Sequence, residues 1–193
     1  MKSLQKDWLG RSEGANILFG VEGSDEDIEV YTTRPDTLFG STFVTLAPEH
    51  PLAASLVSGT EHEAAWKELH DEVSVTTEFD RIKNMNKKKG VFSGRFAIHP
   101  LTEELVPIWF GNFVIATYGT GAVMAVPGHD ERDYDFAKKY QIPIKRVLVM
   151  EENGESSADL NKAETELGWM VNSPLDGFDA VSYTHLRAHE TWS

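Results

Sequence analysis

An α+β domain built on a barrel-like mixed β-sheet with a few helices is the fold this sequence predicts. Two observations lead there. Short β-branched or aromatic runs, each ended by Gly, Pro or a polar turn, recur along the chain, and only a few interspersed segments carry a helical period. At 193 residues the chain fits one domain with room for a sizeable core.

The elements follow in order. Residues 1–13 are polar and irregular and read as an incoming linker or ribbon, with the domain itself spanning 14–180. Asn16 to Phe19 and Ile28 to Thr33 flank the cluster Gly23-Ser24-Asp25, which predicts a hairpin. Ser41 to Ala47 is a third strand after the turn Arg34-Pro35-Asp36. Pro51 to Val57 and His62 to Val73 read as helices, the second amphipathic through Ala65, Trp66, Leu69 and Val73. Residues 76–89 read as a polar, basic connection. Gly90 to His99, Leu105 to Trp109, Phe113 to Thr117 and Ala122 to Val126 are then expected as strands. Asp130 opens a helix to about Tyr140, and Val147 to Met150 is a last strand. The final residues, 181–193, carry no hydrophobic period and resemble translated adapter sequence; they are expected to be a non-native tail.

Composition narrows the chemistry. The chain has no cysteine, which removes disulfides, thiolate zinc sites and a cysteine nucleophile together. No run is long and apolar enough for a membrane span, and MKSLQKDWLG lacks a signal-peptide core, so a cytoplasmic protein with no membrane partner is expected. A net charge of -13 sits poorly with a surface that grips nucleic acid by itself. The densest basic run is Arg81, Lys83, Lys87, Lys88 and Lys89, and its bland reading is a solvated loop. A chain of this charge that handles RNA should touch only one end of it.

Two segments could carry chemistry. In Tyr31-Thr32-Thr33-Arg34-Pro35-Asp36-Thr37-Leu38-Phe39-Gly40, Pro35 pushes Arg34 to extended geometry and turns the chain, crowding hydroxyls, a guanidinium and a carboxylate at one junction. The same residues would serve a purely structural turn whose hydroxyls satisfy backbone groups. The second segment runs from Tyr118 to Tyr134. Gly119 and Gly121 match neither a Walker loop nor a dinucleotide fingerprint, and suit a tight turn or close ligand approach. Asp130 is a good helix N-cap and Asp133 sits where a capping box puts its acid; residues three apart also share a face, so His129, Asp130 and Asp133 could converge. One histidine and two aspartates could hold a divalent ion, although no second histidine stands at helical spacing and no metal site is expected. No serine occupies a G-x-S-x-G elbow.

Taken together, TTRPDTLFGSTFVTLAPEHPL at 32–52 and GTGAVMAVPGHDERDYDFAKKY at 119–140 resemble the two signature regions of the bacterial-type leucyl-tRNA synthetase editing domain, the connective insertion of a class I aminoacyl-tRNA synthetase. WLGRSEGANILF at 8–19 and the stretch from Lys88 to Gly121 resemble the same family, so the likeness covers residues 5–180. The valyl pattern tends to have Glu in the RPDT turn and a T-P-A-H-D run, and the isoleucyl pattern has a tryptophan-containing turn; Arg34-Pro35-Asp36-Thr37 together with Met124 to Asp130 looks leucyl. The resemblance implies the editing-domain fold and hydrolysis of the ester joining a wrong amino acid to the 3′ end of tRNA(Leu), with norvaline, isoleucine or methionine as targets. It implies that Asp133 anchors the α-ammonium and that Thr37 obstructs the leucine side chain. Thr32, Thr33 and Arg34 would line the pocket or meet the terminal adenosine, Tyr118, Met124 and Val126 would fall on pocket positions, and Asp130 and Arg132 would flank the ammonium site.

The ATP-site signatures H-I-G-H and K-M-S-K-S are absent. The aminoacylation machinery, with its ATP and Mg, is therefore expected in the remainder of a synthetase acting in cis, and this domain is expected to need no cofactor. An aminoacyl ester is already activated, so a site without an evident nucleophile can work by positioning water, holding the ammonium and stabilising an oxyanion. Two alternatives remain beside this one: a catalytically weak module that binds the tRNA 3′ end, and an unrelated metal-dependent hydrolase.

Overall fold

The computed structural model describes residues 14–83, 88–150, 160–166 and 168–172. The expected linker at 1–13 and tail at 181–193 lie outside them. The predicted hairpin forms as β1 (Ala15–Val21) and β2 (Asp27–Thr32), antiparallel with Ile17 opposite Val30 and Phe19 opposite Ile28. Alternation fixes its register: Phe19, Val21, Ile28 and Val30 face the core, while Leu18 and Glu29 face out.

After a 3₁₀ turn at Pro35–Gly40 come β3 (Phe43–Leu46), helix α1 (Ala53–Val57), helix α2 (Glu63–Ser74) and helix α3 (Glu78–Lys83). Then follow β4 (Gly90–Ile98), β5 (Leu105–Gly111), β6 (Ala122–Ala125) and helix α4 (Glu131–Tyr140), with a small ribbon of β7 (Leu148–Val149) and β8 (Trp169–Met170). Six strands join in the order β2-β1-β4-β5-β3-β6, and β3–β5 is the parallel pair that makes the sheet mixed.

One face packs a core of Phe19, Val44, Leu46, Ile108 and Phe110 under α1 and α2, which contribute Leu56, Val57, Leu69 and Val73. The other face receives α4, whose Phe136 stacks on Phe43 at 5.4 Å between ring centroids and packs beside Phe113. Buried on both sides, β3 reads as a continuous apolar run rather than an alternating one.

The expected α+β domain with a mixed sheet is what forms, and that sheet is not closed into a barrel. Its edge strands β2 and β6 approach within 8 Å between Cα atoms, yet among the described residues no ladder joins them. Side chains at that seam line a cavity. Three other expectations are corrected. Phe113 to Thr117 is not a strand: Val114 N–H bonds Gly111 O and Tyr118 N–H bonds Ile115 O, folding the run into successive turns. The connection at 76–89 contains α3, started by Thr77, whose hydroxyl oxygen accepts the Asp80 N–H at 3.1 Å. The last predicted strand contracts to β7 and gains β8 as partner.

Candidate functional site

The seam between β2 and β6 opens into a cavity of about 480 Å³. All ten residues singled out from sequence line it. Thr32, Thr33, Arg34 and Thr37 come from the end of β2 and the following turn, and Tyr118 from the glycine turn. Met124 and Val126 come from β6 and just beyond it, and Asp130, Arg132 and Asp133 from the start of α4. Gly119 and Gly121 take φ of +60° and +71°, the left-handed backbone that favours glycine, and a Cβ on Gly119 would lie 3.8 Å from that of Tyr31.

The threonine turn is held by its own side chains. Thr32 Oγ1 accepts the Arg34 N–H at 3.0 Å, and the Thr37 hydroxyl donates to Arg34 O at 2.9 Å. With that bond made and the residue buried, Thr37 offers the cavity bulk rather than a donor. The Arg34 guanidinium grips the buried Asp36 carboxylate with Nε at 3.0 Å and Nη2 at 2.9 Å, so much of its charge is balanced inside the turn. Thr33 stands exposed on the rim.

At the start of α4 the two carboxylates part ways. Asp130 is the N-cap, accepting the N–H groups of Arg132 at 2.7 Å and Asp133 at 3.2 Å, and it pairs with the Arg132 guanidinium at 3.1 Å. Burial pulls its carboxyl up, but the bonds and charge of Arg132 and the capped N–H groups outweigh burial and hold it below the ordinary aspartate value. Asp133 is 8% exposed. It does not complete the capping box expected from sequence, because the Asp130 N–H goes to Val126 O; Asp133 Oδ2 instead accepts the Val126 N–H at 2.8 Å. Burial first, and the Asp130 charge second, push its pKa up to about 7. The nearby cations are committed elsewhere: Arg132 to Asp130 and Lys88 to Asp135, at 3.0 Å.

His129 does not join these carboxylates as a metal ligand would. Its Nδ1–H donates to Glu164 O at 2.8 Å, and its Nε2 accepts the N–H groups of Val147 and Leu148 at 3.0 and 3.1 Å. Burial lowers its pKa, so it is a neutral tie between the motif and the β7–β8 ribbon. Both ring nitrogens are used, which removes the histidine from the metal reading.

Sequence reasoning did not assign roles to Tyr31, Phe113, Val114, Ile115 and Val123, which with His129 complete the cavity lining. The apolar run at 113–115 was the available signal. The basic run also changes meaning. Arg81 and Lys88 are buried, so these two are not part of a solvated loop, whereas Lys89 is exposed and pairs with Glu72 at 2.6 Å on the surface. The side chains of Lys83 and Lys87 lie outside the described residues.

The site is a cleft at the open seam of an α+β domain, lined by threonine hydroxyls, an apolar wall and the buried Asp133 carboxyl. Comparison with known proteins shows the family. The family model for the leucyl-tRNA synthetase editing domain matches residues 6–189. The leucine–tRNA ligase of Nitratidesulfovibrio vulgaris is 44% identical over 180 residues, covering 93% of this chain and 22% of that protein. That of Oleidesulfovibrio alaskensis is 46% identical over 171 residues, covering 89% and 21%. A solved ternary complex of an Agrobacterium radiobacter leucyl-tRNA synthetase with tRNA and LeuAMS superposes with a TM-score of 0.64 at 37% identity, covering 81% of this chain and 18% of that one. The chain belongs to the leucyl-tRNA synthetase editing-domain family. It spans about a fifth of the length of the ligases it matches.

Proposed function

We propose that this domain performs post-transfer editing, hydrolysing the ester that links a wrong amino acid to the 3′-terminal ribose of tRNA(Leu). The carrying observation is Asp133. A desolvated carboxyl in a ligand-sized cleft, fixed through one oxygen by Val126 N–H and in no ion pair among the described residues, is a receptor for an α-ammonium group. Thr37 supplies bulk against the leucine side chain, sparing the cognate ester while smaller or differently shaped side chains enter. Thr32, Thr33, Arg34 and Tyr118 sit at the mouth for the terminal nucleotide, Met124 and Val126 form an apolar wall, and Asp130 and Arg132 frame the ammonium site.

The attacking group is water. His129 has both nitrogens engaged, so catalysis rests on holding the ester, on backbone N–H groups of the β6 edge or the Thr32 and Thr33 hydroxyls as oxyanion donors, and on the ribose hydroxyl of the substrate. A second site is needed because one methylene yields only about 1–3 kcal/mol of discrimination in a synthetic site. The net charge of -13, the burial of Arg81 and Lys88 and the surface pairing of Lys89 with Glu72 leave tRNA affinity to the remainder of a synthetase in cis, in the cytoplasm. The deciding experiment is deacylation of mischarged tRNA(Leu) by a full-length leucine–tRNA ligase carrying this domain. Clearance of isoleucyl- or norvalyl-tRNA with leucyl-tRNA left intact is expected, and a domain that binds the 3′ end without clearing any ester overturns the proposal.

A further inference from the structure

The wall of the cleft formed by Phe113, Val114 and Ile115 has no strand to hold it. It belongs to the turns that join β5 to β6, so its carbonyls must find partners outside a ladder. The Tyr118 N–H serves Ile115 O, and Arg81, from α3, serves Val114 O and the preceding Asn112 O. Its guanidinium is buried and donates from Nε to Asn112 O at 3.1 Å and from Nη2 to Val114 O at 2.5 Å, while Nη1 meets Glu49 Oε1 at 2.6 Å.

Glu49 lies just past β3. Two residues before it, the Ala47 N–H bonds Gly121 O at 2.9 Å, at the far end of the same connection. One short segment after β3 therefore tethers both ends of the wall, through Arg81 at 112–114 and through its own backbone at Gly121. A planar guanidinium, with donors spread over three nitrogens, suits two carbonyls and a carboxylate at these separate positions.

We infer that Arg81 is a positioning residue for the editing cleft, holding the Phe113–Ile115 wall at the width the substrate requires; this rests on the editing function proposed above. Arg81 touches neither Asp133 nor Thr37 in the hydrogen bonds it makes, so it sets how well the ester is seated rather than the chemistry of its attack. A looser wall weakens binding in ground and transition states alike.

The test uses a full-length leucine–tRNA ligase carrying this domain, with Arg81→Met, Arg81→Lys and Glu49→Gln compared with the parent. Deacylation of isoleucyl-tRNA(Leu) gives kcat and KM, and melting is followed on the same samples. Arg81→Met should raise KM about tenfold with kcat changed by less than about threefold, the pattern of lost uniform binding. Arg81→Lys should fall between, and Glu49→Gln should shift KM in the same direction by less. Arg81→Met strands the Glu49 carboxylate and costs stability, so if it does not fold the other two variants decide. A purely structural arginine lowers melting and the active fraction but leaves KM unchanged, and that result overturns the inference while the editing function stands. A parent enzyme that clears no mischarged tRNA overturns both.

Discussion

Asp133 Oδ2 lies 2.8 Å from the backbone nitrogen of Val126, seven residues earlier, and accepts its N–H. That bond ties the first turn of α4 to the end of β6 and turns the carboxyl toward the cleft instead of back to the helix cap. It separates Asp133 from Asp130, which does the capping, and makes a functional substitution at 133 distinguishable from a structural one.

Asp133→Asn should abolish clearance of mischarged tRNA while preserving the fold. The amide can still accept the Val126 N–H, but it cannot balance an ammonium. Melting and deacylation on one preparation decide it. A variant that hydrolyses normally would remove Asp133 from the ammonium site.

The raised pKa of Asp133 sets a pH dependence. The folded value of about 7 lies above the ordinary 3.8, so the folded state binds the extra proton between them. Its contribution to stability is fully present below about 4 and is lost as pH rises through about 7. The melting temperature of the parent should therefore fall relative to Asp133→Asn across that window. Since kcat/KM reports the free enzyme, deacylation should rise with pH through about 7, where the anion forms. At saturation the bound ammonium favours the anion, and the kcat profile should shift to lower pH. Melting differences that do not vary with pH would show that the carboxyl is not desolvated as described.

His129 makes a contrasting case. His129→Ala leaves the N–H groups of Val147 and Leu148 and the Glu164 carbonyl without their buried partner, and should cost about 2–4 kcal/mol of stability. Clearance by the folded fraction should persist, and a chelator should not slow the parent enzyme. Loss of clearance without loss of stability would return His129 to the chemistry.

Much of the fold and cleft can be read from sequence because the decisive signals are local. Gly23 in its turn, the alternation of β1 and β2, and Asp130 before an amphipathic run specify their elements within a few residues. The two signature segments place all ten predicted residues at one cavity. What resists reading is set by distant partners. Phe113 to Thr117 has strand composition, yet its Val114 carbonyl is taken by a guanidinium more than thirty residues away and its Ile115 carbonyl by the Tyr118 N–H, and the run becomes a wall. Arg81 and Lys88 look like solvated charge because nothing local shows that Val114 O and Arg132 O require donors. The helix α3 was the exception, since Thr77 followed by Asp80 is a legible N-terminal signal. Closure of the sheet depends on whether β2 and β6, distant in sequence, pair along their edges, which no local pattern encodes.

The most direct measurement is the release of amino acid from leucyl-tRNA(Leu) and isoleucyl-tRNA(Leu) by a full-length leucine–tRNA ligase carrying this domain, as parent and as Thr37→Ala. Loss of the Thr37 hydroxyl bond to Arg34 O should cost only about 0.5–1.5 kcal/mol. If the buried side chain excludes leucine by bulk, the alanine variant hydrolyses the correct ester as well, while still clearing the wrong one. Gaining a substrate on truncation is hard to produce by accident. Leucyl-tRNA that stays intact with Thr37→Ala, under conditions where isoleucyl-tRNA is cleared, would contradict the steric gate; failure of the parent to clear isoleucyl-tRNA would contradict the editing function itself.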